Sequence, residues 1–200
     1  IPSTIIPIAL AAFAAYALAW MKFRGNALLI TAVVVGLALP PHISLIPILK
    51  LHLSIGIGKS YLGMWLAHSA FTLPFAIFLL HNYMAGIPRE IIENAKLDGA
   101  TDFQIFIKII LPLSIPALAS WAIIQFLWTF NDLLGPMVFL HNNTGDNMVM
   151  THKLTKLYGM YSERWELIAT STFVSMAVPL VVFLIMQRHF ARGLLAGAIK

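Results

Sequence analysis

No cysteine occurs in this 200-residue sequence, and only 10% of its residues are charged. The first absence excludes a disulfide framework, a thiolate metal site and a cysteine nucleophile. The second excludes an ordinary soluble domain, which carries about 25% charged and roughly 45–50% apolar residues; here 60% are apolar. Glycine (12) and proline (11) are too sparse for a collagen-like or low-complexity chain. No phosphate-binding G-x-x-x-x-G-K-S/T loop, no H-E-x-x-H pair and no paired intramembrane carboxylates occur, so neither a nucleotide site, nor a metal site, nor a catalytic group is expected on this chain. The formal charge of +5 is scattered singly through short gaps rather than gathered in a patch, which argues against nucleic acid as a partner.

What is present is apolar length. Mean hydropathy is +0.84, and five runs approach the roughly 20 residues that cross a bilayer as a helix. They are Ile1–Met21, Ala27–Leu49 interrupted by Pro40-Pro41, Leu62–Ala85, Leu113 to about Leu140 with a single ionisable residue at Asp132, and Leu167–Gln187. The expected fold is therefore an all-α polytopic membrane protein, residues 1–200 forming one transmembrane domain with membrane lipid as its solvent. Pro74, Pro116 and Pro179 should kink the later spans. Lys22, Arg24, Arg89, Lys96, Lys108, Arg188, Arg192 and Lys200 fall on one face of this topology. Lys50, Lys59, Lys153, Lys156 and Arg164 fall on the other, and the excess marks the first face as cytoplasmic. The first run then begins outside with no initiator Met and no basic flank, which reads as a truncated start. A signal peptide is the rival reading, and the missing basic n-region weighs against it.

Two polar gaps are long enough to receive partners: 86–112 on the cytoplasmic face and 141–166 outside. The outer gap carries mixed charge at Asp146, Lys153, Lys156, Glu163, Arg164 and Glu166, which suits a docking surface and a solvated loop equally. In the cytoplasmic gap, Pro88 suits a first helical position, Glu90 the first turn, and Gly99 a left-handed stop. Thr101 and Gln104 form a T-x-x-Q capping box. Phe103, Phe106, Ile107 and Ile110 then form an apolar stripe ending at Pro112. The expected product is a rigid helical knob that sits in a cleft of a soluble partner.

Within that gap Glu93-Asn94-Ala95, three residues, Gly99, nine residues, Ile109, one residue and Leu111-Pro112 resemble the cytoplasmic loop signature of permease subunits in binding-protein-dependent ABC importers. Six fixed residues at set spacing arise by chance about once in 10⁴–10⁵ chains of this length. One departure is Asn94, where the family usually has a second Ala. Ile87-Pro88-Arg89-Glu90, Asp98-Gly99-Ala100, the W-T-F-N-D-L text from Trp128 to Leu133, the stretch Ala15–Gly25 and the tail Arg192–Lys200 resemble the carbohydrate-uptake group, closest to the maltose and α-glucoside type. The resemblance covers essentially the whole chain, with the family's first span absent.

It implies an importer of the bacterial or archaeal cytoplasmic membrane, with two permeases, two cytoplasmic ATPases holding ATP and Mg, and an extracytoplasmic sugar-binding protein. This chain would be one permease, itself without cofactor. Glu90, Glu93, Ala95, Lys96, Asp98, Gly99 and Ala100 would form its ATPase-coupling element.

Polar side chains in lipid face the bundle interior or a water-filled path. Trp121, Gln125, Trp128 and Asp132 share one helical face with Asn131 beside it, and Tyr61, Trp65, His68 and Thr72 share another at the same spacing. Aromatic rings stack on sugar CH faces while amide, hydroxyl and carboxylate groups bond sugar hydroxyls. Tyr61, Trp65, His68, Thr72, Gln125, Trp128, Asn131 and Asp132 are thus the candidate path residues. Tyr61 and Trp65 also suit an interfacial aromatic belt, His68 an interhelical hydrogen bond, and Asn131-Asp132 a cap at a helix break before Gly135-Pro136. The rival functions are an ABC permease for another small solute such as an amino acid, and an ion-coupled secondary transporter.

Overall fold

The computed structural model describes residues 1–140, 148–160 and 164–198, with side chains of the last helix as far as Gln187. Among the described residues every regular element is helical: α1 Pro2–Trp20, α2 Asn26–Leu37, α3 Pro41–Ser54, α4 Tyr61–Ala85, α5 Arg89–Leu97, α6 Asp102–Ile105, α7 Leu111–Leu113, α8 Ile115–Asn131, α9 Leu134–Phe139, α10 Met150–Met160 and α11 Trp165–Ala198. A π-helical turn, Phe106–Ile110, joins α6 to α7. Asp146 and Glu163 of the outer gap and the side chains of the Arg192–Lys200 tail lie outside the described residues.

Among the described residues three helices are long and apolar enough to cross a membrane: α1, α4 and the Trp165–Gln187 part of α11. At 1.5 Å per residue α1 covers about 28 Å and α4 about 37 Å, against a hydrocarbon core of about 30 Å. Two bent pairs raise the number to as many as five, in agreement with the five apolar runs.

The second run is broken at its double proline, as expected, and the break is sharp: α2 and α3 turn by 110°. Pro40 is held extended (φ −68°, ψ 122°) because the residue before a proline is barred from helical geometry. Pro41 then opens α3 at the position where its missing N–H is harmless. The fourth run is likewise cut. It turns by 72° against the preceding Asp102–Leu113 segment, starts at Ile115, and ends at Asn131 because Asp132 is extended (φ −70°, ψ 128°).

The tightest packing joins α1, α4, α8 and the π-turn. Ala11, Ala12, Ala15, Ala76 and Ala117 are all nearly fully buried there, together with Phe106, Leu80 and Trp121. Small residues let backbones approach, which is what holds helices together in lipid, where apolar burial alone gives no drive. By contrast α2 buries no residue, and the spanning part of α11 is 6% buried. Their apolar faces are left for lipid or another membrane subunit.

Candidate functional site

A cavity of about 350 Å³ opens between α3, α4, α8 and α9. Six of the eight candidate path residues line it: His68, Thr72, Gln125, Trp128, Asn131 and Asp132. Tyr61 and Trp65 do not; their rings lie 6.4 Å apart on the α4 turn outside the lining. Trp121 is fully buried beneath it, 5.1 Å from Phe75 and edge-on to Trp128 at 5.7 Å. That support fixes the Trp128 ring, which is 54% exposed. Pro41, His42, Phe71 and Thr129 also line it, with the apolar Leu45, Leu127 and Leu134 and with Gly135. Sequence reading missed Pro41 and His42 because the way α3 lies across the α4 face after the Pro40 bend cannot be read from helical periodicity.

Both carboxylate oxygens of Asp132 are engaged. Its Oδ2 lies 2.7 Å from His68 Nε2 and accepts the Gly135 N–H at 3.1 Å; its Oδ1 accepts from Leu134 N at 3.1 Å and Gly135 N at 3.3 Å. The carboxylate thus caps α9 and ties the break to α4. Gly135 is required for this approach, because a Cβ there would collide with the Asp132 carboxylate and stand 3.0 Å from His68 Nε2. Thr151 donates to the Asp132 carbonyl at 3.0 Å, adding α10 to the same joint.

Gln125 has a different task. Pro7 lacks the N–H that would bond the Ser3 carbonyl one turn earlier. Gln125 Nε2 donates to that carbonyl instead, at 2.9 Å, in a fully buried position. Its Oε1 has no partner among the described residues. Gln125→Leu should therefore leave the carbonyl stranded and cost about 1–3 kcal/mol, read as a fall in Tm in detergent. Adding Pro7→Ala should recover about half of that by restoring the helix's own donor; no recovery would disprove the assignment.

At the opposite end of α1 and α4 stands the knob. The α5 helix ends in Gly99 at φ +80°, with Ala100 N bonded to the Ala95 carbonyl and Gly99 N to the Lys96 carbonyl, each at 3.0 Å; this is the glycine-stopped C-terminus. The expected capping box is formed, Thr101 N donating to Gln104 Oε1 at 2.9 Å and Gln104 N to Thr101 Oγ1 at 3.3 Å. Lys96 pairs with Asp102 across the turn at 3.0 Å. Ala95 and Ile92 are buried, whereas Glu90, Glu93, Asp98 and Gly99 face outward and Ala100 is half-buried. Asn94 is exposed, so its departure from the usual Ala crowds nothing.

The expected apolar stripe is corrected. Phe106 and Ile110 are buried, but Phe103 is 64% and Ile107 42% exposed. Burial of Ile105 and Phe106 turns Phe103 outward, and the i to i+5 repeat of the π-turn keeps Ile110 on the buried side with Ile105 while Ile107 faces out. Phe106 packs 4.7 Å from Phe13 and 5.1 Å from Tyr16, and the Tyr16 hydroxyl donates to the Asp102 carbonyl at 2.9 Å. The knob is thereby joined to α1.

Residues 7–195 match the model of the binding-protein-dependent transport system inner membrane component family. The chain belongs to that family. It is a family of transport components, not of enzymes, and its place is the membrane. The chain of this transport component is 56% identical over its full length to the alpha-glucoside transport system permease protein AglG of Rhizobium meliloti, of which it spans 54%. It is 48% identical to the osmoprotective compounds uptake permease protein GgtD of Synechocystis, spanning 67% of that protein. A chain of the MetNI methionine ABC transporter, in inward-facing form, has the same fold: TM-score 0.61, 16% identity, covering 96% of this chain and 93% of that one.

Proposed function

We propose that this transport component is one permease subunit of an ATP-driven sugar importer, that the cavity is part of its translocation path, and that the knob docks in a cytoplasmic ATPase. A second permease, two ATPases carrying ATP and Mg, and an extracytoplasmic binding protein complete the assembly. The observation that carries the reading is the placement of the two features at opposite ends of one packed unit. The cavity lies toward the N-terminal ends of α1 and α4, the knob at their C-terminal ends, and the buried Tyr16 and Phe106 contacts link knob to helix.

The wall chemistry favours a neutral hydroxylated solute. Its carboxylate, Asp132, has both oxygens engaged, leaving Trp128, Thr72 and Asn131 as neutral contacts. An amino acid's ammonium would find the one carboxylate among the described lining residues already paired with His68. The 56% identity to a permease named for α-glucosides supports that sugar class.

The test is ATP hydrolysis and uptake by the full complex in lipid with its binding protein, scanned over sugars and amino acids. An α-glucoside should stimulate both. Trp128→Ala should lower sugar uptake roughly five- to tenfold, the loss of one aromatic stacking contact, with stimulated hydrolysis within about twofold. Stimulation by amino acids alone, or the absence of any associated ATPase, overturns the reading.

A further inference from the structure

Beside the knob lies a second cleft, of about 590 Å³, that the transport reading leaves unused. Its walls are the last turn of α1 (Ala19, Trp20), the Met21–Phe23 turn with Asn26, the end of α4 at Ala85, and one face of α5 (Arg89, Ile92, Glu93, Lys96). Three cations, Lys22, Arg89 and Lys96, meet there against the carboxylate of Glu93. Lys96 already pairs with Asp102. Among the described residues no hydrogen bond or ion pair engages the side chains of Lys22, Arg89 or Glu93, so the unpaired groups leave one net positive charge, with Lys22 and Arg89 as the donors for an anion.

The cleft is built rather than incidental. The Trp20 indole N–H donates to the Met84 carbonyl at 3.1 Å, locking α1 to the end of α4. Asn26 Nδ2 donates to the Leu18 carbonyl at 3.0 Å and the Met21 carbonyl at 3.4 Å, consuming helix-end acceptors that would otherwise repel an anion. Ile92 is buried in the floor. The depth is also defined. Trp20 and Lys22 sit at the end of a membrane span, where tryptophan and lysine mark the headgroup layer.

We propose that this cleft binds the phosphate of an anionic phospholipid headgroup, Lys22 and Arg89 holding the phosphate and Trp20 lying against the glycerol and upper acyl region. Basic recesses between helices on the positively charged membrane face recognise lipid phosphates in this way. The site joins the α1–α2 turn to α5, so the bound headgroup braces the root of the knob. The proposal rests on the membrane topology and not on the ATPase assignment.

The test uses the whole complex, purified from its membranes, with retained phospholipid measured by mass spectrometry and exchange measured in nanodiscs of phosphatidylglycerol or phosphatidylcholine. The intact complex should retain the anionic lipid in preference. Lys22→Glu with Arg89→Glu should reduce retention about tenfold or more, each basic group near an anionic surface being worth roughly a fivefold factor. Lys153→Glu with Lys156→Glu, on α10, should leave it unchanged. If the charge reversal prevents assembly, Lys22→Gln alone serves, with a smaller expected loss of about fivefold, the share of one basic group. Equal retention by the variants, or indifference to headgroup charge, overturns the proposal. Complete displacement by millimolar inorganic phosphate also overturns it, by making the cleft a site for soluble anions. Co-purification of the ATPase is scored in the same samples. Loss of the ATPase with lipid retained strikes the coupling reading alone, and loss of lipid selectivity with the ATPase retained strikes this one alone.

Discussion

Asp132→Ala is expected to lower the stability of the subunit by about 2–4 kcal/mol, a fall in Tm of roughly 4–16 °C. The loss has two parts. His68, nine-tenths buried at the side chain, loses its polar partner at Nε2, and breaking a buried pair by removing one member strands the other. The N–H groups of Leu134 and Gly135 lose their acceptor as well, which unpins α9. The Asp132 side chain is 28% exposed, which holds the figure to the lower part of the range for buried pairs. Asp132→Asn should cost only about 1 kcal/mol, because the amide oxygen keeps the α9 cap. Gly135→Val should reproduce the alanine phenotype from the other side by pushing the carboxylate off His68. Thermal unfolding in detergent reads all three. A sugar-binding role for Asp132 predicts the reverse pattern, with unchanged Tm and uptake lost equally in the Asn and Ala variants.

The position of Asp132 also marks where sequence stops being legible. A lone carboxylate in an apolar run announces either a ligand or a brace, and periodicity places it on a face without naming its partner. Its partner lies 64 residues away, a distance set by how α4 and α8 cross. Local signals fared better. The T-x-x-Q box and the Gly99 stop were readable because both ends of each interaction lie within one turn of chain, and the structure forms both as written. The π-turn was not. Phe103, Phe106, Ile107 and Ile110 fit α-helical spacing, and only burial of Ile105 and Phe106 against α1 rotates Phe103 out. Likewise Pro40-Pro41 announced a break, whereas the 110° turn that carries Pro41 and His42 to the cavity depends on packing against α4 and α9. Gln125 was identified as polar and deep. That its amide replaces the donor missing from Pro7 required both helices together.

Coupling through the knob can be separated from simple loss of stability by a matched pair of glycines. Gly99 and Gly56 have nearly the same backbone, φ +80° and +79°, and a Cβ at either meets nothing within 4 Å. Alanine at each should therefore cost the same, about 1 kcal/mol for a left-handed conformation in a residue with a side chain, and a similar small drop in Tm. Their surroundings differ. Gly56 follows α3 on the far side of the bundle, whereas Gly99 sets the angle between α5 and α6, with Leu97 85% and Phe103 64% exposed on either side of it. If the knob transmits ATPase closure, Gly99→Ala should cut sugar-stimulated hydrolysis and uptake several-fold while Gly56→Ala leaves both near the intact level. Gly99→Pro should go further. Its ring forbids positive φ, and the Gly99 N–H bond to Lys96 is lost; α5 and α6 then part, the Lys96–Asp102 pair opens, and hydrolysis should fall at least about tenfold, or the ATPase should fail to bind. Equal effects of Gly56→Ala and Gly99→Ala on hydrolysis would reduce the knob to a structural turn, because the two substitutions share every local cost and differ only in what the glycine orients.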